Sequence, residues 1–149
     1  MAACTAPAAK AALLTLLDAR TGLNGVQVVW TFPGDKAERQ YLCFGDTELN
    51  EVAGQLGNGT RHESYTINVW VSVHWPSNDP QDAEERAWAI VAELEAQLKP
   101  PNNADLGIAG ANGIKSLTAQ FAGGTLATYP ELEGQTAQGS FRVAVEARI

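Results

Sequence analysis

The chain has 149 residues, a hydrophobic fraction of 45%, a charged fraction of 18% and a formal charge of -7. That length fits one domain that buries roughly 70% of the surface its unfolded form exposes, and that composition excludes a disordered or fibrous chain. The 17 acidic residues outnumber 10 scattered basic ones, which gives no electrostatic reason to bind DNA. No apolar run nears the roughly 18 to 20 residues that cross a bilayer.

The opening "MAACTAPAAKAALLTLLDARTG" has no basic region ahead of its apolar part and carries Lys10, Asp18 and Arg20 inside it. It reads as structure rather than as a signal peptide, with the cytoplasm as the expected compartment. Ala9, Leu13, Leu16 and Leu17 follow the rhythm of a helix face, with Pro7 in the first turn and Gly22 as the stop. "GVQVVWTF" then predicts a strand with Val26, Val28, Trp30 and Phe32 on one face, closed by the turn residues of "FPGD". "RQYLCFGD" predicts a shorter second strand. From residue 46 to 59 periodicity is lost and glycines gather, which predicts a flexible loop.

"RHESYTINVWVSVHW" alternates over residues 61–75 and predicts a strand of roughly 50 Å. Tyr65, Ile67, Val69, Val71, Val73 and Trp75 share its apolar side. His62, Ser64, Thr66, Asn68, Ser72 and His74 share the other, and Trp70 falls among them. Asp79 as cap, Pro80 at the first position and Asp82 three past the cap announce a second helix that ends at Pro100-Pro101. Its buried stripe is expected to be Ala83, Ala87, Ile90, Val91, Leu94 and Leu98. Residues 100 to 114, rich in Gly, Asn and Pro, predict a second flexible loop; its Gly-x-x-Gly-x-x-Gly spacing is not the dinucleotide fingerprint. "KSLTAQF" begins a fourth strand, with Gly123-Gly124 as a turn or bulge. "GSFRVAVEARI" closes the chain as a fifth, with Phe141, Val143, Val145, Ala147 and Ile149 on its apolar face.

The order αβββαββ and the alternation of the strands predict an α+β domain. It should hold a mostly antiparallel sheet of about five strands with two helices packed on one face. The other face must meet water or a partner.

Chemistry is hard to find in these residues. Cys4 and Cys43 lack metal-ligand spacing and read as free thiols. His62 and His74 lie on one strand about 40 Å apart, too far to share a metal, and Glu84 and Glu85 point in directions about 100° apart on their helix. No P-loop, G-x-S-x-G or H-E-x-x-H is present. The expectation is a protein that is not an enzyme and needs no cofactor. Among the tryptophans, Trp30 and Trp75 read as core and Trp88 as half-buried at the edge of its helix stripe. Trp70 on a polar strand face reads either as cover for its neighbours or as an interface anchor. The candidate subunit or partner interface is therefore Trp70, His62, Asn68, His74 and Trp88.

"KAALLTLLDARTGLNGVQVVW", the strand ending "FGD", "HESYTINVWVSV", "DAEERAWAIVAELEAQL" and "EGQTAQGSFRVAVEAR", in that order, resemble the tail terminator proteins of long-tailed bacteriophages. These are also called tail completion or tail-to-head joining proteins. The resemblance spans nearly the whole chain and implies a small α+β subunit that forms a homo-hexameric ring on the head-proximal end of the tail tube. It implies as partners the tail tube protein and a head completion or neck protein, with genome DNA passing through the channel without specific binding and no membrane. It implies a place in the virion after assembly in the host cytoplasm, and it carries over no catalytic residue and no cofactor. The rival readings are another ring-forming neck or tail component and, from a different class, a soluble enzyme or small-molecule-binding domain.

Overall fold

In the computed structural model, residues 4–54, 61–99, 104–111 and 113–149 are described. The element order is α1 (Ala6–Asp18), β1 (Gln27–Val29), β2 (Gln40–Gly54), β3 (Arg61–Trp75), α2 (Pro80–Gln97), β4 (Ser116–Glu131) and β5 (Gly134–Arg148). The strands form one sheet in the order β1-β2-β3-β5-β4. β1 pairs with β2 in parallel and every other pair is antiparallel. The fold is α+β, with the expected element order.

β3 lies at the centre of the sheet, and its alternation decides the two layers. Tyr65, Ile67, Val69, Val71 and Val73 are fully buried beneath the helices. Register then carries the same face onto β5, where Val145, Val143 and Phe141 oppose Tyr65, Ile67 and Val69. α2 supplies the expected stripe: Ala83, Ala87, Ile90, Val91, Leu94 and Leu98 are all buried. Its start is fixed as the sequence indicates, with the Asp79 carboxylate accepting from the Gln81 N–H at 3.0 Å and Pro80 opening the helix. From α1, Ala9, Leu13 and Leu17 complete the core.

Three expectations need correction. The first strand is only three residues long, and Trp30, expected in the core, is 40% exposed. It sits past the end of β1, edge-on to Phe44 at 5.9 Å between centroids, with the Lys10 ammonium 4.8 Å above its ring. Phe32, expected on the same apolar face, is 62% exposed.

The second strand is long rather than short: residues 46–54, expected as loop, continue β2, and residues 55–60 lie outside the described residues. The pattern fades there for two physical reasons. Register shifts between Phe44 and Thr47 and between Leu49 and Glu51 swap which residues share a face. In addition, the described side chains from Gly45 to Val52 are exposed, so no buried face imposes alternation.

In the stretch 100–114, residues 104–111 and 113–114 form turns whose Leu106 and Ile114 are buried in the core; residues 100–103 and 112 lie outside the described residues. Gly123-Gly124 is a bulge inside β4. Gly123 takes φ +85°, and a Cβ on Gly124 would strike the β5 backbone at Ser140 and Phe141.

A buried polar network ties α1 to the far end of β3. Glu63 is fully buried on the helix-covered face. Its carboxylate accepts from the Thr5 N–H at 3.1 Å and from the Arg61 guanidinium at 3.3 Å. A carboxylate at the start of a helix is favoured by the helix dipole. The Thr5 hydroxyl meets the Tyr65 hydroxyl at 3.0 Å. Burial is the main cause that pushes the Tyr65 phenol up to about 12.

Because the folded state holds this proton more tightly than the unfolded state, whose phenol titrates near 10, stability is full below about pH 10 and falls as pH rises toward 12. The expected loss is about 2 to 3 kcal/mol, and urea unfolding of the wild type and Tyr65→Phe across pH 8 to 12 checks it. The variant should lack this part of the alkaline decline; an unchanged decline would mean that another group causes it.

Candidate assembly surface on the open sheet face

The helices leave one face of the sheet open. Even-numbered residues of β3 point to it, so His62, Asn68, Trp70 and His74 line up along one strand as the alternation requires. Register places Arg148, Arg142, Ser140 and Thr136 of β5 beside them, opposite His62, Asn68, Trp70 and His74 respectively. The face is rich in hydroxyl, amide and charged groups and therefore suited to contact through hydrogen bonds.

Trp70 is half-buried rather than bare. It forms one wall of an apolar hollow of about 470 Å³, with Phe32, Tyr41, Cys43, Phe44, Gly45 and Gln138 as the rest of the lining. Phe32 stands edge-on to Tyr41 at 6.0 Å. Tyr41 and Cys43 are buried in the floor, where desolvation raises the Cys43 thiol above its ordinary range. This shape is that of a socket for an apolar or aromatic side chain. The sequence signalled Trp70 through its place on a polar face, but not the socket, because Phe32 and Tyr41 arrive from elements whose orientation depends on the parallel β1-β2 pairing.

The other expected residues separate. Asn68 lines a smaller polar hollow of about 240 Å³ with Gly124, Thr125, Ser140 and Arg142, and its side-chain amide donates to the Asp46 carbonyl at 3.0 Å. His74 sits at one end of β3, its Nδ1 3.1 Å from the Thr136 hydroxyl and 3.6 Å from the Glu131 carboxylate. A third hollow there includes Leu132, fully exposed at the tip of the β4–β5 hairpin. His62 occupies the opposite end of the strand, so the two histidines do not come together. Trp88 lies on the helical layer, 44% exposed, edge-on to Phe141 at 5.7 Å. It therefore belongs to a surface on the other side of the sheet from Trp70.

Among the described residues, no group of three or more His, Cys, Asp or Glu side chains is placed to hold a metal ion. No described helix is long and apolar enough to cross a membrane.

These features define a two-layer α+β domain whose long mixed sheet keeps one face open. The same architecture occurs in a chain of a solved structure described as the virion of a native gene transfer agent particle, with a TM-score of 0.57 and 18% identity, over 92% of this chain and 93% of that one. At that identity the likeness is one of fold. No family model and no curated protein sequence matches the chain.

Proposed function

We propose that this protein is a structural component of a phage-like particle, a tail terminator. It forms a ring on the head-proximal end of the tail tube, stops tube growth and joins tail to head. The observation that carries the reading is the match of fold over nearly the whole of both chains with a chain of a gene transfer agent virion. The open sheet face and its socket at Trp70 support it, since a monomer has little use for a half-exposed aromatic hollow on a polar face. The sequence resemblance to tail terminators points the same way.

In this reading Trp70, His62, Asn68 and His74 belong to the surface that contacts other copies, and Trp88, on the helical layer, faces a different partner. The acidic balance of the chain suits a channel through which DNA slides without being held. The ring is homo-hexameric, and its flanking partners are the tube protein below and a head completion or neck protein above.

Negative-stain microscopy of the purified protein separates this role from that of a tube subunit. A terminator gives single rings or waits for a tube end, whereas long tubes grown from the protein alone would overturn the assignment.

A further inference from the structure

The β4–β5 hairpin ends in a two-residue turn, Leu132-Glu133, between the paired Glu131 and Gly134. Such positions are normally taken by Gly, Asn, Asp or Ser, whose backbones suit a tight turn. Leucine brings no such advantage. Leu132 is nevertheless 105% exposed, against 62% for Phe32, the next most exposed large apolar side chain among the described residues. The tip is also firmly seated. Gly134 takes φ +118°, and a Cβ there would strike the Trp75 carbonyl and Pro76 at the end of β3, so the turn is held as a projection from the sheet. Nothing in the folding of a single copy accounts for an apolar side chain at its apex.

The Trp70 socket is the matching concave feature. Its hollow of about 470 Å³ is walled by Phe32, Tyr41, Cys43 and Trp70 and has room for a leucine side chain with the turn that carries it. Being fully exposed, Leu132 does not occupy the socket of its own chain. The hairpin stands at the β4 border of the sheet, and Phe32 and β2 wall the socket toward the other border. Both lie toward the His74 end of the strands, whereas Gly54, Arg61 and Ala104, which border segments outside the described residues, are held toward the His62 end.

Charge gives the pairing a direction. Glu131 and Glu133 are exposed on either side of Leu132. Glu131 faces His74 of its own chain, which leaves Glu133 for a neighbour's cation. At the socket, the Arg39 carbonyl accepts from the His74 N–H at 2.6 Å. This extends the β2–β3 register by one pair, and alternation puts exposed Arg39 on the face of Tyr41 and Cys43. Exposed Asp46 adjoins Gly45 at the opposite end of the socket. An acidic tip therefore has one favourable way in, with its carboxylates toward Arg39 and away from Asp46.

We infer that Leu132 of one copy inserts into the Trp70 socket of the next, with Glu133 set against Arg39. This rests on the ring reading above and specifies its contact. Each copy gives one tip and receives one, so the contact is head-to-tail, and only a closed ring leaves no tip bare and no socket empty.

Two variants of the tip test the contact. Leu132→Asp should match the wild type in a thermal melt, because the side chain it replaces is bare. It should nevertheless form no rings, alone or on tail tubes, even at about thirtyfold the concentration at which the wild type assembles. In Cys4→Ser/Leu132→Cys, the thiol oxidant diamide should join the introduced thiol to Cys43 in the socket floor of the next copy. A ladder of linked subunits on a non-reducing gel is the expected result, and adding Cys43→Ser should remove it. Rings from Leu132→Asp, no ladder, or a ladder that survives Cys43→Ser would overturn the tip-in-socket contact while leaving the ring itself intact. A wild-type protein that forms no ring with or without tubes would overturn both.

Discussion

Phe141→Ala is expected to lower the free energy of unfolding by about 3 to 5 kcal/mol. Phe141 is 1% exposed and sits where the sheet meets α2. Its ring stacks on Phe121 at 6.1 Å, receives the edge contact of Trp88, and stands opposite Val69 across the β3–β5 pair. Close by, the bulged Gly124 brings the β4 backbone against Phe141 itself, where a larger residue would not fit. That backbone cannot move inward to refill the space without straining the bulge, so most of the cavity should persist and the cost should fall in the upper part of the range. In a domain of this size the melting temperature should drop by roughly 2 to 4 °C for each kcal/mol. Urea denaturation gives the comparison: Trp88→Ala, which removes a half-exposed ring from the same cluster, should cost clearly less. Equal losses in the two variants would mean that the core is centred on the helical layer rather than on the sheet.

Trp70→Ala should show the opposite balance. Its side chain is half-buried on the open face, so the fold should lose only about 1 to 2 kcal/mol. The apolar socket shared with Phe32, Tyr41 and Cys43 would lose its wall. If a neighbouring copy fills that socket, the contact should weaken by about 2 kcal/mol or more, a roughly thirtyfold change in dissociation constant at each interface. In a closed ring that loss recurs at every contact, so assembly should fail at concentrations where the variant remains folded. Mass photometry beside a thermal melt checks both. A variant that loses melting temperature and ring formation in equal measure would place Trp70 among the core residues.

The sequence was most legible where one face is buried and the other is wet. β3 and the apolar end of β5 could be read from alternation because burial on the helix-covered side forces it, and α2 because its cap, proline and stripe all agree. Legibility failed at the sheet edge. Trp30 has an apolar side chain and the right spacing for a core strand, but β1 stops at Val29 and leaves it 40% exposed, held by Phe44 and Lys10. Residues 46–52 give no strand signal because an exposed, twice-shifted stretch has no buried face to enforce a period of two.

In the sequence Glu63 is legible only as part of a strand. Nothing in "HESYTI" announces that its carboxylate reaches the first residues of α1, a contact 58 residues away in the chain. The candidate surface divides along the same line. Trp70 stood out in the sequence because an aromatic on a polar face breaks a local pattern. Its socket did not, because its other walls come from Phe32 beyond β1, from β2 and from β5 and exist only once the sheet is assembled. The position of Trp88 at the margin of its helix stripe is legible in the sequence, but the layer it faces depends on the packing of α2 over Phe141.

The proposed role is that of a ring that ends a tail tube. Cryo-electron microscopy of tail tubes assembled with and without this protein tests it most directly. One additional ring at one end of each tube and uniform tube lengths are expected. Tubes of unchanged length with no ring at either end, or the protein incorporated repeatedly along the tube, would contradict it.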